Sequence, residues 1–180
     1  MLKTTANKIT LFRIVLIPVF LLLCYSGHTN WAFSVYITAC LSDFADGYIA
    51  RHYHQITDWG KFMDPLADKM LVLAAMCFFV ECHTMPGWVV AVVLFREFAV
   101  SGLRLVAVEQ GRVIAAAWSG KIKTASTMVA LGLMLLFGGY RVVNIICWVV
   151  ILITTVWSGT EYFIRNRDVL KEFESGSVIS

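Results

Sequence analysis

The decisive stretch reads DFADGYIAR over residues 43–51 and continues with GKFMDPLAD over residues 60–68. Its four aspartates form two pairs, Asp43 with Asp46 and Asp64 with Asp68. On helices, spacings of three and four residues place both carboxylates of a pair on one face, with Cβ atoms roughly 5–6 Å apart. Like charges at that distance repel each other. Because very apolar sequence adjoins both pairs, a compensating charge is needed, and a divalent metal ion bound by carboxylate oxygens supplies it most simply.

The composition predicts an integral membrane protein. Of the 180 residues, 59% are hydrophobic and 15% are charged, and this is too apolar for an ordinary soluble domain. Apolar runs of about 18 or more residues indicate membrane-spanning helices. We predict six such spans, at Ile9–Gly27, Trp31–Ala50, Asp64–Cys82, Gly87–Val106, Lys121–Phe137 and Val142–Tyr162.

Turn signals separate several of these spans, at residues 26–30, 81–87 and 138–139. Six spans of roughly 20 residues use about two thirds of the chain, so no extramembrane domain fits. The sequence therefore predicts one all-α membrane domain over residues 1–180. Within it, an active-site hairpin covers about residues 31–82 and a polar C-terminal tail covers about residues 163–180.

The basic residues predict the orientation of this bundle. All of the 15 lysines and arginines except Arg96 and Arg141 lie on or near one side of it. The positive-inside rule then places both termini and the aspartates on the cytoplasmic side. The net charge of +3 is explained by topology, and a nucleic-acid partner is disfavoured because no basic face is free of the membrane.

Other potential metal ligands are interpreted as structural. His52 and His54 flank the aspartate stretch, but imidazole suits softer metals than the neighbouring carboxylates do. The five cysteines show no CxxC pair, which favours packing roles. We therefore leave both residue types out of the predicted site.

Every position of the pattern D-x-x-D-G-x-x-A-R-x8-G-x3-D-x3-D is filled between Asp43 and Asp68. This pattern closely resembles the signature of the CDP-alcohol phosphotransferase family. Upstream, NKITLFR at residues 7–13 resembles the N-x-x-T-x-x-R element of the same family, although Ala6 stands where a proline is often found. The resemblance implies a metal-dependent transferase with the fold of that family, and a homodimer.

The resemblance also implies roles for the aspartates. Asp43, Asp46 and Asp64 would hold Mg²⁺ or Mn²⁺, as two ions, and Asp68 would be the general base that deprotonates the acceptor alcohol. Asp68 would also be able to ligate metal. Metal that bridges a pyrophosphate neutralises charge on its oxygens and makes the nucleotide phosphate a better leaving group.

A second set of residues is predicted to bind the CDP group. Glycines let a nucleotide lie against the backbone, and a guanidinium offers a planar pair of donors to phosphate. For the two upstream residues, simple helix capping is the alternative. The predicted CDP contacts are Asn7, Thr10, Gly47, Arg51, Thr57 and Gly60.

Basic residues in the fourth and fifth spans are predicted to bind an acceptor phosphate, namely Arg96, Arg104, Lys121 and Lys123. An arginine inside an apolar span is costly unless it meets an anion or a partner such as Glu97 or an aspartate. The runs REF, SGLR and GKIKT that hold these residues are most similar to family members that use glycerol 3-phosphate. The alternative is that these cations serve orientation alone.

The resemblance thus implies that CDP-diacylglycerol and sn-glycerol 3-phosphate give phosphatidylglycerophosphate and CMP at the bacterial cytoplasmic (inner) membrane. Direct displacement is favoured, because the H-x-K-x4-D motif of a phosphohistidine route is absent. One alternative is another acceptor in the same fold, as in cardiolipin synthase or phosphatidylinositol phosphate synthase. A divalent-cation transporter is disfavoured, because the acids lie at one membrane face and few polar groups lie deep in the spans.

Overall fold

The computed structural model describes residues 5–52, 58–109, 111–112, 114–115 and 117–169. Within these ranges the chain forms six helices and no strand, which confirms the predicted all-α class. A further helical turn covers residues 167–169. The six helices are α1 (Thr5–Tyr25), α2 (Thr29–His52), α3 (Asp58–Glu81), α4 (Gly87–Glu109), α5 (Trp118–Phe137) and α6 (Arg141–Arg165). Residues 170–180 of the predicted tail lie outside the described ranges.

The helix ends fall at the predicted turns. Breaks between α1 and α2, α3 and α4, and α5 and α6 coincide with the turn signals at residues 26–30, 81–87 and 138–139. Gly27 follows α1 with φ at 76°, and Gly111 follows α4 with φ at 69°. Glycine adopts this left-handed conformation without a Cβ clash and so commonly ends helices. After Gly111, the amide of Arg112 donates to the carbonyl of Ala107 at 2.8 Å, which closes the last turn of α4.

The chain divides into two compact units. Unit 1 comprises residues 1–85 and 131–145, and unit 2 comprises residues 86–130 and 146–180. In unit 1, α1 packs against both α2 and α3. Phe20 of α1 and Tyr36 of α2 are fully buried, with ring centroids 5.8 Å apart. Helix α1 therefore supports the two helices that carry the aspartates.

Unit 2 has its own apolar cluster, formed by Val100, Leu103, Ala107, Tyr162 and Val169. The first three belong to α4, and Tyr162 belongs to α6. Each of the five side chains is at most 5% exposed. This cluster holds the C-terminal end of α4 against the C-terminal end of α6.

Two of the described helices have the length and apolar character expected in a bilayer. Helices α5 and α6 are long and apolar enough to cross a membrane, and α1 contains a shorter apolar segment, Leu11–Tyr25. Large apolar side chains are exposed on α4, among them Phe95, Phe98 and Leu105. Lipid tails can cover such surfaces at no hydrophobic cost. The predicted number of six spans and their orientation stay predictions.

Candidate functional site

Helices α2 and α3 carry the four aspartates. Asp43 and Asp46 lie toward the end of α2, and Asp64 and Asp68 lie near the start of α3. Because both segments are helical, each pair shares one helix face, as the spacing predicts. The side chains of these residues lie outside the described part of the structure. Four carboxylates form the oxygen donor set that Mg²⁺ and Mn²⁺ prefer, so the residues fit a divalent cation.

The predicted CDP contacts are distributed over helices α1, α2 and α3. Asn7 and Thr10 lie in α1, Gly47 and Arg51 lie in α2, and Gly60 lies in α3. Thr57 lies outside the described residues, and so do the side chains of Asn7, Thr10 and Arg51. Arg13, the last residue of the upstream element, is only 1% exposed. Burial of a guanidinium at this position indicates a polar environment around the element.

In unit 2, two predicted phosphate ligands share one carboxylate. Oε1 of Glu97 accepts hydrogen bonds from Nη1 of Arg96 at 3.0 Å and from Nζ of Lys123 at 2.7 Å. Glu97 is thus one of the partners predicted for Arg96, which were an anion, Glu97 or an aspartate. Two cations and one carboxylate leave the group with one excess positive charge.

Arg96 also links α4 to α6. Its Nη2 donates to Oγ of Ser158 at 2.6 Å. Its Cγ lies 3.2 Å from the position that a Cβ at Gly159 would take, so only glycine leaves it this much room. The Nε of Arg96 is buried and has no hydrogen-bond partner within the described ranges.

The other two predicted phosphate ligands, Arg104 and Lys121, are exposed. Arg104 donates through Nε to the hydroxyl of Tyr162 at 2.9 Å, and its Cζ lies 5.5 Å from the centre of that ring. Nζ of Lys121 lies 4.7 Å from the centre of the Trp118 ring. Cation–π contacts of this kind orient a cation while its donors stay accessible. Both residues can therefore meet an anion from solvent.

A cleft of about 590 Å³ opens where α4 and α6 end and the connection to α5 begins. It combines two guanidinium groups, one carboxylate and other polar groups with an apolar wall. Its lining consists of Arg112, Ile114, Ala115, Ala117, Tyr162, Arg165, Asn166, Asp168 and Val169. Because Tyr162 accepts the hydrogen bond from Arg104, three arginines lie on or beside this cleft. Guanidinium groups in such number suit a ligand that carries phosphate.

Arg112 and Arg165 are among the basic residues on which the predicted orientation rests, and the sequence pattern did not identify Ser158 or Tyr162 as site residues. The available signal was on α6, where these two polar residues stand four apart in an apolar helix. Residues at that spacing share one face. A polar face on an apolar helix indicates polar partners on its neighbours.

The comparisons with known proteins agree with the aspartate pattern. A family model described as CDP-alcohol phosphatidyltransferase matches residues 3–157. The chain belongs to this family. The match runs from α1 into α6 and confirms the resemblance predicted from residues 43–68. The chain is therefore a phosphatidyltransferase by family.

Several relatives are similar over nearly their full length. The chain is 40% identical to the CDP-diacylglycerol–glycerol-3-phosphate 3-phosphatidyltransferase of Bacillus subtilis (strain 168), over 92% of this chain and 96% of the relative. It is 37% identical to the Escherichia coli (strain K12) protein of the same name, over 88% and 92%. A probable phosphatidylglycerophosphate synthase of Mycobacterium tuberculosis (strain H37Rv) is 38% identical over 91% of this chain and 82% of the relative.

Proposed function

We propose that the protein transfers the phosphatidyl group of CDP-diacylglycerol to sn-glycerol 3-phosphate, giving phosphatidylglycerophosphate and CMP. The observation that carries this proposal is the 40% identity, over 92% of this chain, to a relative named for that reaction. The cleft in unit 2 supports it, since two arginines and one aspartate line this cleft and the acceptor carries a phosphate group. Family acceptors that lack a phosphate group offer no such anion for the three arginines to bind.

In this proposal the carboxylates divide two tasks. Asp43, Asp46 and Asp64 would hold two Mg²⁺ or Mn²⁺ ions, and the bound metal would neutralise charge on the pyrophosphate of CDP-diacylglycerol, whose cytidine-bearing phosphate departs as part of CMP. Asp68 removes the proton from the acceptor hydroxyl, whose oxygen then attacks the phosphorus that bears the lipid. Because Asp68 lies one helical turn from Asp64, its carboxylate is able to act as the base and also to bind metal.

The same proposal assigns the CDP contacts to unit 1. Backbone at the two glycines leaves room for the nucleotide, and the guanidinium of Arg51 donates to its phosphates. The hydroxyl groups of two threonines and the side-chain amide of one asparagine complete the contacts. The residues concerned are Asn7, Thr10, Gly47, Arg51, Thr57 and Gly60.

The acceptor phosphate is assigned to unit 2. Arg104 and Lys121 are exposed and orient their charges on aromatic rings, and Arg165 lines the cleft beside Tyr162. The predicted roles of Arg96 and Lys123 as further phosphate ligands stay predictions. Glu97 already neutralises one of their two charges.

A CMP-release assay with detergent-solubilised protein tests the proposed reaction. With CDP-diacylglycerol as donor, glycerol 3-phosphate is expected to support release, and serine, inositol phosphate and phosphatidylglycerol are not. A chelator should stop release, and added Mg²⁺ or Mn²⁺ should restore it. Release with inositol phosphate or phosphatidylglycerol alone would identify another acceptor in the same fold. Cation uptake by proteoliposomes without any release would instead indicate a transporter.

The arginines of the cleft are expected to govern acceptor affinity. Arg104→Ala and Arg165→Ala should each raise the KM for glycerol 3-phosphate about tenfold or more, since a hydrogen bond to a charged group is worth about 1.5–3 kcal/mol. The KM for CDP-diacylglycerol should hardly change. Steady-state CMP release at varied concentrations of each substrate measures both constants.

Arg167→Ala is the matched control for these variants. Arg167 is exposed two residues after Arg165 and does not line the cleft, so its removal should leave both constants near those of the wild type. If all three variants behave alike, or if the KM for CDP-diacylglycerol rises instead, the basic residues act only in orientation.

The proposal places the protein in the bacterial cytoplasmic membrane as a homodimer with six spans and both termini inside. Single cysteines at Gln55 and at Thr29, in a background where the five free cysteines are replaced, test the orientation. In intact cells, a membrane-impermeant maleimide should label residue 29 only. Labelling at residue 55 would overturn the assignment of the aspartates to the cytoplasmic side.

A further inference from the structure

Glu97 stands at a junction of three helices in unit 2. Its Oε1 receives Nζ of Lys123 from α5 at 2.7 Å, and Nη1 of its own neighbour Arg96 at 3.0 Å. Arg96 in turn donates to Ser158 of α6 at 2.6 Å. One carboxylate thus joins α4 directly to α5, and through Arg96 it is coupled to α6.

This junction is largely removed from water. The side chains of Lys123, Arg96 and Glu97 are 7%, 12% and 21% exposed, respectively. Breaking a buried ion pair by removing one partner is strongly destabilising for the charge left behind, whereas an exposed pair contributes little. The Glu97–Lys123 contact therefore constrains how α4 and α5 lie against each other.

The constrained helices carry the acceptor-binding cations. Arg104 follows Glu97 by seven residues on α4, which is two helical turns, so both lie on the same face about 10 Å apart along the axis. Lys121 precedes Lys123 by two residues on α5. A shift between α4 and α5 would change the separation of Arg104 and Lys121.

We propose that Glu97 is a positioning residue: by binding Lys123 it fixes α4 against α5 and so sets the spacing of the cations that bind the acceptor phosphate. This inference rests on the proposed function for the identity of the acceptor. According to this proposal, Lys123 affects acceptor binding through Glu97, and its positive charge pairs with Glu97 instead of with the acceptor phosphate.

The direction in which Glu97→Gln changes the KM for the acceptor distinguishes this positioning role from a purely electrostatic effect. Glu97→Gln removes a negative charge, which makes the surroundings of the pocket more positive. Attraction alone would then lower the KM for the anionic acceptor. Loss of positioning would raise it.

The experiment measures KM for both substrates, kcat and the melting temperature in detergent for four forms of the full chain. These are the wild type, Glu97→Gln, Lys123→Gln and the double variant. Each single change is expected to raise the KM for glycerol 3-phosphate about tenfold, and the double variant should raise it no further, because residues that share one contact are not additive. The KM for CDP-diacylglycerol should stay near that of the wild type.

Glu81→Gln is the matched control. Glu81 is an exposed carboxylate at the end of α3 that accepts a hydrogen bond from Tyr25. Its replacement should leave the KM for glycerol 3-phosphate unchanged. If Glu97→Gln does not fold, the double variant carries the test, since it removes one charge of each sign and keeps the net charge of the junction, with Arg96 still bound to Ser158. A native melting temperature with a raised KM for glycerol 3-phosphate supports the role, and an unchanged KM overturns it.

Three other results would also overturn the positioning role. The first is a KM for glycerol 3-phosphate that falls or stays constant in Glu97→Gln while it rises in Lys123→Gln, which would make Lys123 a direct ligand. The second is a parallel loss of kcat, both KM values and melting temperature, which would leave Glu97 a structural residue only. The third is a wild type that releases no CMP with glycerol 3-phosphate, and this one refutes the proposed function as well. A normal wild type with either of the first two results refutes the role of Glu97 alone.

Discussion

Replacement of Asp68 by asparagine is expected to abolish CMP release while metal and CDP-diacylglycerol binding are largely kept. The amide has the shape of the carboxyl group but cannot accept the proton of the acceptor hydroxyl. Loss of a general base costs roughly 10²–10⁴-fold in rate. Three other carboxylates on α2 and α3 remain to hold the metal. Initial rates of CMP release and calorimetric titration with the donor lipid in detergent measure the two properties separately.

Asp58→Asn is the matched control for this variant. Asp58 begins the same helix as Asp68 but lies outside the aspartate pattern, so its replacement should leave turnover near that of the wild type. Near-native turnover of Asp68→Asn would show that the base is a different group. Loss of donor binding together with rate would instead make Asp68 a metal ligand first.

The helices were largely predictable because apolar length and turn residues are local properties. Each predicted span corresponds to one described helix, and the three predicted turns separate the helices observed. The main difference is in the third helix, which begins at Asp58 although the predicted span begins at Asp64. Hydropathy detects where a segment becomes apolar, whereas a helix extends as far as its backbone hydrogen bonds continue. Polar residues before Asp64 therefore escaped a prediction based on membrane spans.

The contacts of unit 2 were less predictable. Periodicity identifies residues that share a face of one helix, but it does not say which face meets which neighbour. Arg96 contacts Ser158, 62 residues away, and Arg104 contacts Tyr162, 58 residues away. These pairings depend on how α4 packs against α6. That Arg96 needs a partner was predictable, because an unpaired guanidinium in an apolar helix is costly, and the adjacent Glu97 was one of the partners considered.

Lys123 is a second residue whose contact the sequence pattern could not predict. Its charge and position favour a phosphate ligand, and this role stays a prediction; in the structure its side chain is 7% exposed and bound to Glu97. Arg112 and Arg165 contribute to the predicted orientation, for which basic residues near helix ends need no ligand, and in the structure both line the cleft. Charge alone cannot distinguish a cation that binds substrate from one that binds a neighbouring helix. The burial of each side chain bears on this distinction, and burial follows from packing.

Asp64→Asn is expected to fail in a different way from Asp68→Asn, since it removes a proposed metal ligand from the start of α3. Loss of groups that only support a metal ligand already costs about 10–100-fold in affinity or activity. Loss of the ligand itself should therefore reduce CMP release by at least about 100-fold. Binding of CDP-diacylglycerol should weaken as well, because the bound metal screens the charge of its pyrophosphate.

Titration of Mn²⁺ in the presence and absence of CDP-diacylglycerol distinguishes the two variants. Asp68→Asn should keep metal-dependent donor binding near the wild-type midpoint, and Asp64→Asn should shift that midpoint to a much higher Mn²⁺ concentration. Asp43→Asn should behave as Asp64→Asn does, although it lies on the other helix. If Asp64→Asn keeps the wild-type midpoint and loses only rate, the division of tasks among the carboxylates is wrong. The two helices would then contribute unequally, with the metal held mainly by α2.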